Sequence, residues 1–394
     1  MLQFCVSQQA NDLPFAFKAT GIKVYSFEEV LYHVFHYWRE SVDEFLSDEM
    51  ILWVGRLGLT YFAGRMKELA LQEPFTKRML DFLRLADYFD REELEGLRSS
   101  LEAWEMRREW EKLKERGDYF TSKGEPAKAI PLYKRALQYD ENAALLNNIA
   151  VAYMQLGENR DGLSTLTKAL TIDPESHDIL LHYIEAAILS DNFDKAAKAL
   201  KKAHSMRPEC TDIAFLVGLM SYQQKDYHNA LTYFGKAMES DSTVPHYVYK
   251  TVDVHLTLRQ YEKALETLRQ IATPDAAYHT KEAQLYAAWG DIPQAIKSMN
   301  RAIQFVTKEP EIAYEGAAYS EAFLCTKLAG YYRQDYNFGK AEEAIQKAIA
   351  ADPENDLARL EYAKIKKGLG RTREYQAVLN DILKSFKERY RQPG

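Results

Sequence analysis

Residues 150–174 read AVAYMQLGENRDGLSTLTKALTIDP, and the rest of the chain can be parsed from this stretch. Apolar residues recur at helical spacing as far as Leu156, and Gly157 interrupts them. A second helical stretch then carries Gly162 and Ala169 with Leu166 between them, and Pro174 ends it. Two antiparallel helices approach closely only where the facing side chains are small. A bulky side chain between the small ones fills the gap beside them.

The same arrangement recurs eight times from near Trp110, with a period of about 34 residues. Ala129, Gly162, Ala196, Ala230, Ala264, Ala295 and Ala341 form the first small column. Seven residues on, Ala136, Ala169, Ala203, Ala237, Ala302 and Ala348 form a second. Tyr133, Leu166, Leu200, Phe234, Leu268, Met299 and Ile345 are the bulky residues between. The turn holds Gly124, Gly157 or Gly290, with Asp191, Lys225 and Arg259 standing in elsewhere, and Pro174, Pro208 and Pro353 close units. The units run approximately 110–142, 143–176, 177–210, 211–244, 245–275, 276–309, 322–355 and 356–389. The fifth is short, ending at Ala272-Thr273-Pro274-Asp275, and residues 310–321 are inserted before the seventh. The last has Tyr375 and Ile382 where Ala is usual, as expected of a terminal capping repeat.

These residues resemble the tetratricopeptide repeat family over about 110–389, most closely in Gly117 to Asp140, Ala150 to Pro174 and Ala329 to Pro353. The expected fold is all-α: an N-terminal helical bundle over 1–105, then a right-handed superhelix of about eight helix-turn-helix repeats over 110–389. The resemblance implies that first helices line a concave groove and that such grooves bind peptides or partner helices. Fold alone does not assign a function, so the groove has to be read residue by residue.

In the family the second, fifth, ninth and twelfth residues of each first helix face outward. The first unit has Glu111, Lys114, Asp118 and Thr121 there. The next four units give the candidate partner-binding residues: Asn147, Val151 and Met154; Leu181, Glu185 and Ile188; Phe215, Leu219 and Tyr222; Tyr249, Asp253 and Leu256. Asp178, Asp212 and His246 hold the remaining outward positions. A solvated helix face is polar, whereas this one is an apolar and aromatic strip flanked by carboxylates. Such a patch suits an apolar protein or peptide segment bearing Lys or Arg, or it is covered by this chain itself or by a second copy in a homo-oligomer. The family's two-carboxylate clamp for chaperone tails is a poor match. Lys114 and Asn148 fit it, but Asp118, Asp178 and His182 stand where donors are needed, and two carboxylates would repel an anionic tail.

The first hundred residues hold Trp38, Trp53 and Trp104, with Trp110 just beyond; only Trp289 follows. Ser26-Phe27-Glu28-Glu29 is a capping box opening a helix with Phe27, Val30, Leu31, Val34 and Trp38 on one face. Amphipathic stretches follow at about Ser47–Leu57, Tyr61–Gln72, Pro74–Phe89 and Arg91–Arg116. Residues 1–20 have no period and are either a loose tail or a strap held by Phe4, Phe15 and Phe17. Glu29, His33, His36 and Glu40 share a helix face at metal-ligand spacing, but with no matching Glu-x-x-His elsewhere they are expected to be a solvated face.

No phosphate loop, nucleophile elbow, zinc-protease helix or Cys pair occurs, so neither an enzyme nor a cofactor is expected. The other seven histidines are scattered and read mostly as surface residues, with His255 packed inside a first helix. A net charge of −7 argues against a nucleic-acid binder, and one basic stretch, Lys384 to Arg391, is weak support for nucleic acid or membrane. The three cysteines lie far apart and no apolar run is long enough for a membrane span, so the chain reads as soluble and cytoplasmic. The expected function is a non-catalytic scaffold or adaptor. The alternatives are a peptide-responsive signalling regulator of similar layout, or a structural homo-oligomer.

Overall fold

The computed structural model of the 394-residue chain describes residues 14–391 apart from 21, 123, 242–243, 309–319 and 352–354. Side chains are described as far as Lys384, Lys308 excepted. Phe4, Pro353, most of the 310–321 insertion and the basic side chains after Lys384 therefore lie outside the described residues. The chain divides into two units, residues 1–117 with 138–140 and residues 118–137 with 141–394. Among the described residues no helix is long and apolar enough to cross a membrane.

The first unit begins with a two-stranded antiparallel hairpin, β1 (Phe15–Ala16) and β2 (Lys23–Val24), with Phe15 opposite Val24. Of the residues read as tail or strap, those from 14 to 20 are described; Phe15–Ala16 form one arm of this hairpin, and Phe15 and Phe17 are buried in the core. Helices α1 (Phe27–His36), α2 (Trp38–Ser41), α3 (Asp48–Arg56), α4 (Thr60–Ala70), α5 (Phe75–Leu83) and α6 (Arg91–Glu105) follow. Ser26 caps α1 by accepting from the Glu29 N–H at 3.2 Å. The Glu29 carboxylate takes the Tyr25 N–H at 2.6 Å rather than closing the expected box on Ser26. Asp90 and Glu93 form a complete capping box on α6.

The core of this unit is aromatic. Phe82 meets Phe27 and Phe45 edge-on, and Trp104 packs against Trp38 and Phe75. The helix expected over Arg91–Arg116 is broken at Met106 to Arg108, and α7 (Glu109–Ser122) starts afresh, the Arg108 N–H donating to Glu111. The face expected to be solvated is corrected as well, because His33 and Glu40 are buried. The hairpin covers that side of α1: Phe17 stacks on the His33 ring with centroids 3.9 Å apart, and Thr20 Oγ1 lies 3.2 Å from its Nε2.

From α7 onward the helices of the described residues come in eight antiparallel pairs forming the repeat superhelix. The second helices are α8 (Pro126–Leu137), α10 (Asn159–Ile172), α12 (Phe193–Met206), α14 (Tyr227–Ser240), α16 (Tyr261–Leu268), α18 (Ile292–Lys308), α20 (Phe338–Ala351) and α22 (Thr372–Arg391). After α7 the first helices are α9 (Ala143–Gln155), α11 (His177–Leu189), α13 (Thr211–Gln223), α15 (Pro245–Thr257), α17 (Ala276–Trp289), α19 (Glu321–Gln334) and α21 (Asp356–Gly368). Every residue in the two small columns and the bulky column between them is buried. The short fifth unit is short because α16 has only 8 residues. Gly218 lets α13 lie close on α14, since a Cβ there would come within 2.6 Å of the Phe234 ring.

Each pair turns through one left-handed residue: Gly124, Gly157, Asp191, Lys225, Arg259, Gly290, Tyr336 and Gly370. The N–H of the next residue returns to the carbonyl five positions back in all eight, as in Asn192 to Ala187 (2.7 Å) and Asn337 to Tyr332 (2.8 Å). This is the Schellman closure, which satisfies helix-end carbonyls with backbone alone. Six of the eight positions were expected as turns. Tyr336 and Gly370 were not among them.

Candidate functional site

Several first helices of the second unit border a common space. A hollow of about 720 Å³ opens there, formed by the end of α7 (Asp118, Thr121, Ser122), Tyr133 of α8, and α9 (Asn147, Asn148, Val151, Gln155), together with His182 and Glu185 of α11 and His246 of α15. Inward residues of first helices reach this space because the second helices stack behind them with their small columns.

The polar groups are organised around two carboxylates. Asp118 Oδ1 accepts from the Tyr133 hydroxyl at 2.8 Å and the Asn148 amide at 3.0 Å. Burial raises the Tyr133 pKa, so the phenol stays protonated and keeps donating. Asn148, one of the two matches to a chaperone-tail clamp, is thus engaged by a carboxylate of its own chain. On the other side His182 Nδ1 lies 2.8 Å from Asn147 Oδ1, and burial lowers the histidine's pKa. His246 keeps a water-exposed ring, yet the protein curving around it withdraws solvent and lowers its pKa too. Both imidazoles are therefore neutral near pH 7.

Glu185 stands between these histidines. Burial raises its pKa, with Lys250 opposing that shift and Asp212 adding to it. Among the described residues its carboxylate has no hydrogen-bond or ion-pair partner. A half-buried acid with no donor from its own chain is open to pairing with whatever enters the hollow.

Of the twelve candidate groove residues, the hollow brings together Asn147, Val151 and Glu185. Met154 and Leu181 are half-buried and pack on the repeat core, and Leu256 does so against the core around Val248. Tyr222 is half-buried, its hydroxyl 3.4 Å from Thr257. The Tyr249 hydroxyl is 3.5 Å from Asp275, and Asp253 pairs with Lys281 at 2.8 Å.

Ile188, Phe215 and Leu219 are buried, so the expectation of a continuous exposed apolar strip is corrected. Consecutive first helices lean on one another, and the large outward residues fill the seams between them. Phe215 packs on Phe234, His246 and Tyr247 at 4.9–5.3 Å. The polar residues left facing the hollow include Asp118, Asn148, His182 and His246, which the sequence reading did not place among the binding residues. Asp118 and His246 held outward helix positions, and that was their signal.

The histidines read as surface were partly misplaced: His177 and His279 are buried, and His279 Nδ1 lies 3.3 Å from Glu282. His255 is half-buried, with Nδ1 2.9 Å from Gln260 Oε1. Among the described residues no group of three or more His, Cys, Asp or Glu could hold a metal ion. Cys210 and Cys325 are free, and burial raises the Cys325 thiol to about 11.

Residues 114–177 and 184–245 match the tetratricopeptide repeat family. BBSome complex member BBS4 of Bos taurus is 28% identical over 153 residues, 39% of this chain and 30% of that protein. DnaJ homolog subfamily C member 7 of Homo sapiens is 22% identical over 210 residues, 52% of this chain and 40% of that protein. The chain thus spans less than half the length of either relative. The crystal structure of yeast Tom70 superposes with a TM-score of 0.55 at 14% identity, covering 90% of this chain and 88% of that one, a likeness of fold.

Proposed function

The chain is a tetratricopeptide repeat protein, and we propose that it is a non-catalytic, cytoplasmic scaffold that binds a protein segment in the hollow formed by α7, α9, α11 and α15. The observation that carries this reading is Glu185, half-buried, with no donor of its own among the described residues and facing an open concave space. A Lys or Arg side chain of a partner supplies the missing donor and counter-charge together. Asp118 adds negative charge on the far wall, and the neutral imidazoles add no repulsion. Val151 offers the apolar contact a bound segment needs beside its cation. Relatives whose names place them in assemblies, such as the BBSome member, are compatible with such a role.

The test is affinity capture from native lysate with wild type, Glu185→Lys and the control Glu239→Lys, an exposed residue of the second helix α14. A partner held by wild type and control, and lost by a Glu185→Lys protein of unchanged circular dichroism, supports the groove. Replacing that partner's Lys and Arg residues in turn should then reproduce the loss. Equal capture by all three proteins removes the groove reading.

A further inference from the structure

The first unit carries a second hollow, of about 470 Å³, between the hairpin and α1. Tyr25, Tyr32, Tyr37 and Tyr88 all line it. Three of them are large side chains left half outside a core that encloses almost every other ring of this unit: Tyr25 is 43% exposed, Tyr32 51% and Tyr88 49%. The remaining wall is charged. Glu28 and Glu29 line it from the first turn of α1. Glu29 spends one oxygen on the Tyr25 N–H, while Glu28 Oε2 is enclosed with no hydrogen-bond partner among the described residues.

We propose that this hollow binds a compact organic cation of the quaternary ammonium class, with the four tyrosine rings as its walls and Glu28 as its counter-charge. Aromatic faces attract cations through the ring quadrupole, and several faces around one hollow add their attraction. The charge type follows from the two carboxylates, which would repel an anion. The cation type follows from the rings. A hydrated metal ion or primary ammonium loses water or hydrogen bonds that aromatic faces do not replace. A quaternary ammonium spreads its charge over methyl groups and needs no acceptor.

The positive groups of the wall do not fill the role. Lys23 lines the hollow, but no ion pair or ring contact joins it to these groups. His33 at the base is neutral near pH 7, because burial holds its pKa near 4. This site is independent of the concave groove and of its proposed partner.

Choline is the probe, titrated by calorimetry and by NMR of the tyrosine ring protons, with neutral 3,3-dimethylbutan-1-ol as the isosteric control. Choline should bind saturably, and the alcohol about tenfold or more weaker. Tyr32→Ala and Tyr88→Ala should each weaken choline by about tenfold, and Glu28→Gln by several-fold. Lys23→Ala should strengthen it slightly by removing the competing charge. These side chains are partly exposed, so unchanged melting curves should accompany the losses. Glu185→Lys, which changes the groove, should leave choline affinity alone. Free choline and phosphatidylcholine vesicles are compared in parallel: co-sedimentation with vesicles assigns a lipid headgroup, and its absence a soluble ligand. Equal binding of the alcohol would reduce the site to an apolar cavity. No saturation by choline at tens of millimolar, in a protein whose melting curve is normal, would overturn the proposal.

Discussion

The two units of this chain are both helical, yet they solve the packing problem in opposite ways. The repeat unit brings helices together over alanines, with one bulky residue per pair filling the gap, and repeats that arrangement along the array. The N-terminal unit brings helices together over rings at irregular spacing, including Phe17, Phe27, Phe45, Phe82 and Trp104. In the first design each contact is made by neighbours in sequence. In the second it is made by residues far apart, such as Trp38 on Trp104 and Phe27 on Phe82. The lesson is that periodic cores spread stability over many small terms, whereas an aperiodic aromatic core concentrates it in a few large ones.

That contrast can be broken most directly in the aromatic core. Phe27→Ala should destabilise the N-terminal unit by about 3–5 kcal/mol, because the ring is fully enclosed and its removal leaves a cavity. Chemical denaturation followed by tryptophan fluorescence reads this well, since most tryptophans lie in the first 110 residues. A loss below about 1 kcal/mol would show that the rings are not the concentrated element they are taken to be.

Next comes His33, the polar member of that core. The unfolded chain takes up its proton near pH 6.5, the folded unit only near pH 4. Between those values the unfolded state binds more protons, so stability is fully present above pH 6.5 and falls as the pH drops towards 4. The whole loss is at most about 3 kcal/mol. His33→Phe should flatten this part of the pH–stability curve relative to wild type, and an unchanged slope would contradict it.

A milder effect is expected in the repeats. Gly218→Ala should cost about 1–3 kcal/mol, because the new Cβ meets the buried Phe234 ring. Phe234→Leu in the same chain should recover part of that cost, and a melting-temperature cycle of the four proteins measures the coupling. Smallest is Arg259→Gly, which removes a left-handed non-glycine residue (φ 55°). It should raise stability by up to about 1 kcal/mol, the relief being offset in part by glycine's unfolded freedom. A lower melting temperature would mean that the Arg259 side chain contributes more than its backbone costs.

The same contrast explains what could be read from sequence. The Ala129-to-Ala341 column, the bulky column beside it and the short fifth unit were all legible, because each depends on contacts one helix away. The hollow was legible only in part. Asn147, Val151 and Glu185 face it, but Ile188, Phe215 and Leu219 hold equivalent helix positions and are closed off by the next first helix. Helix register alone does not say how far the neighbouring repeat leans. His33 and Glu40 misled for a related reason: a polar face on α1 reads as solvated until a hairpin with no helical period folds over it.

The eight turns have a consequence of another kind. Each closes with main-chain hydrogen bonds and one left-handed residue, and glycine, aspartate, lysine, arginine and tyrosine all serve in that place. The joint between helices therefore makes almost no demand on side-chain identity, while the columns on either side of it demand a great deal. A gene built this way can be copied in the middle and rejoined without composing a new hinge. Each added copy arrives with its fold secured and its inward face free to diverge.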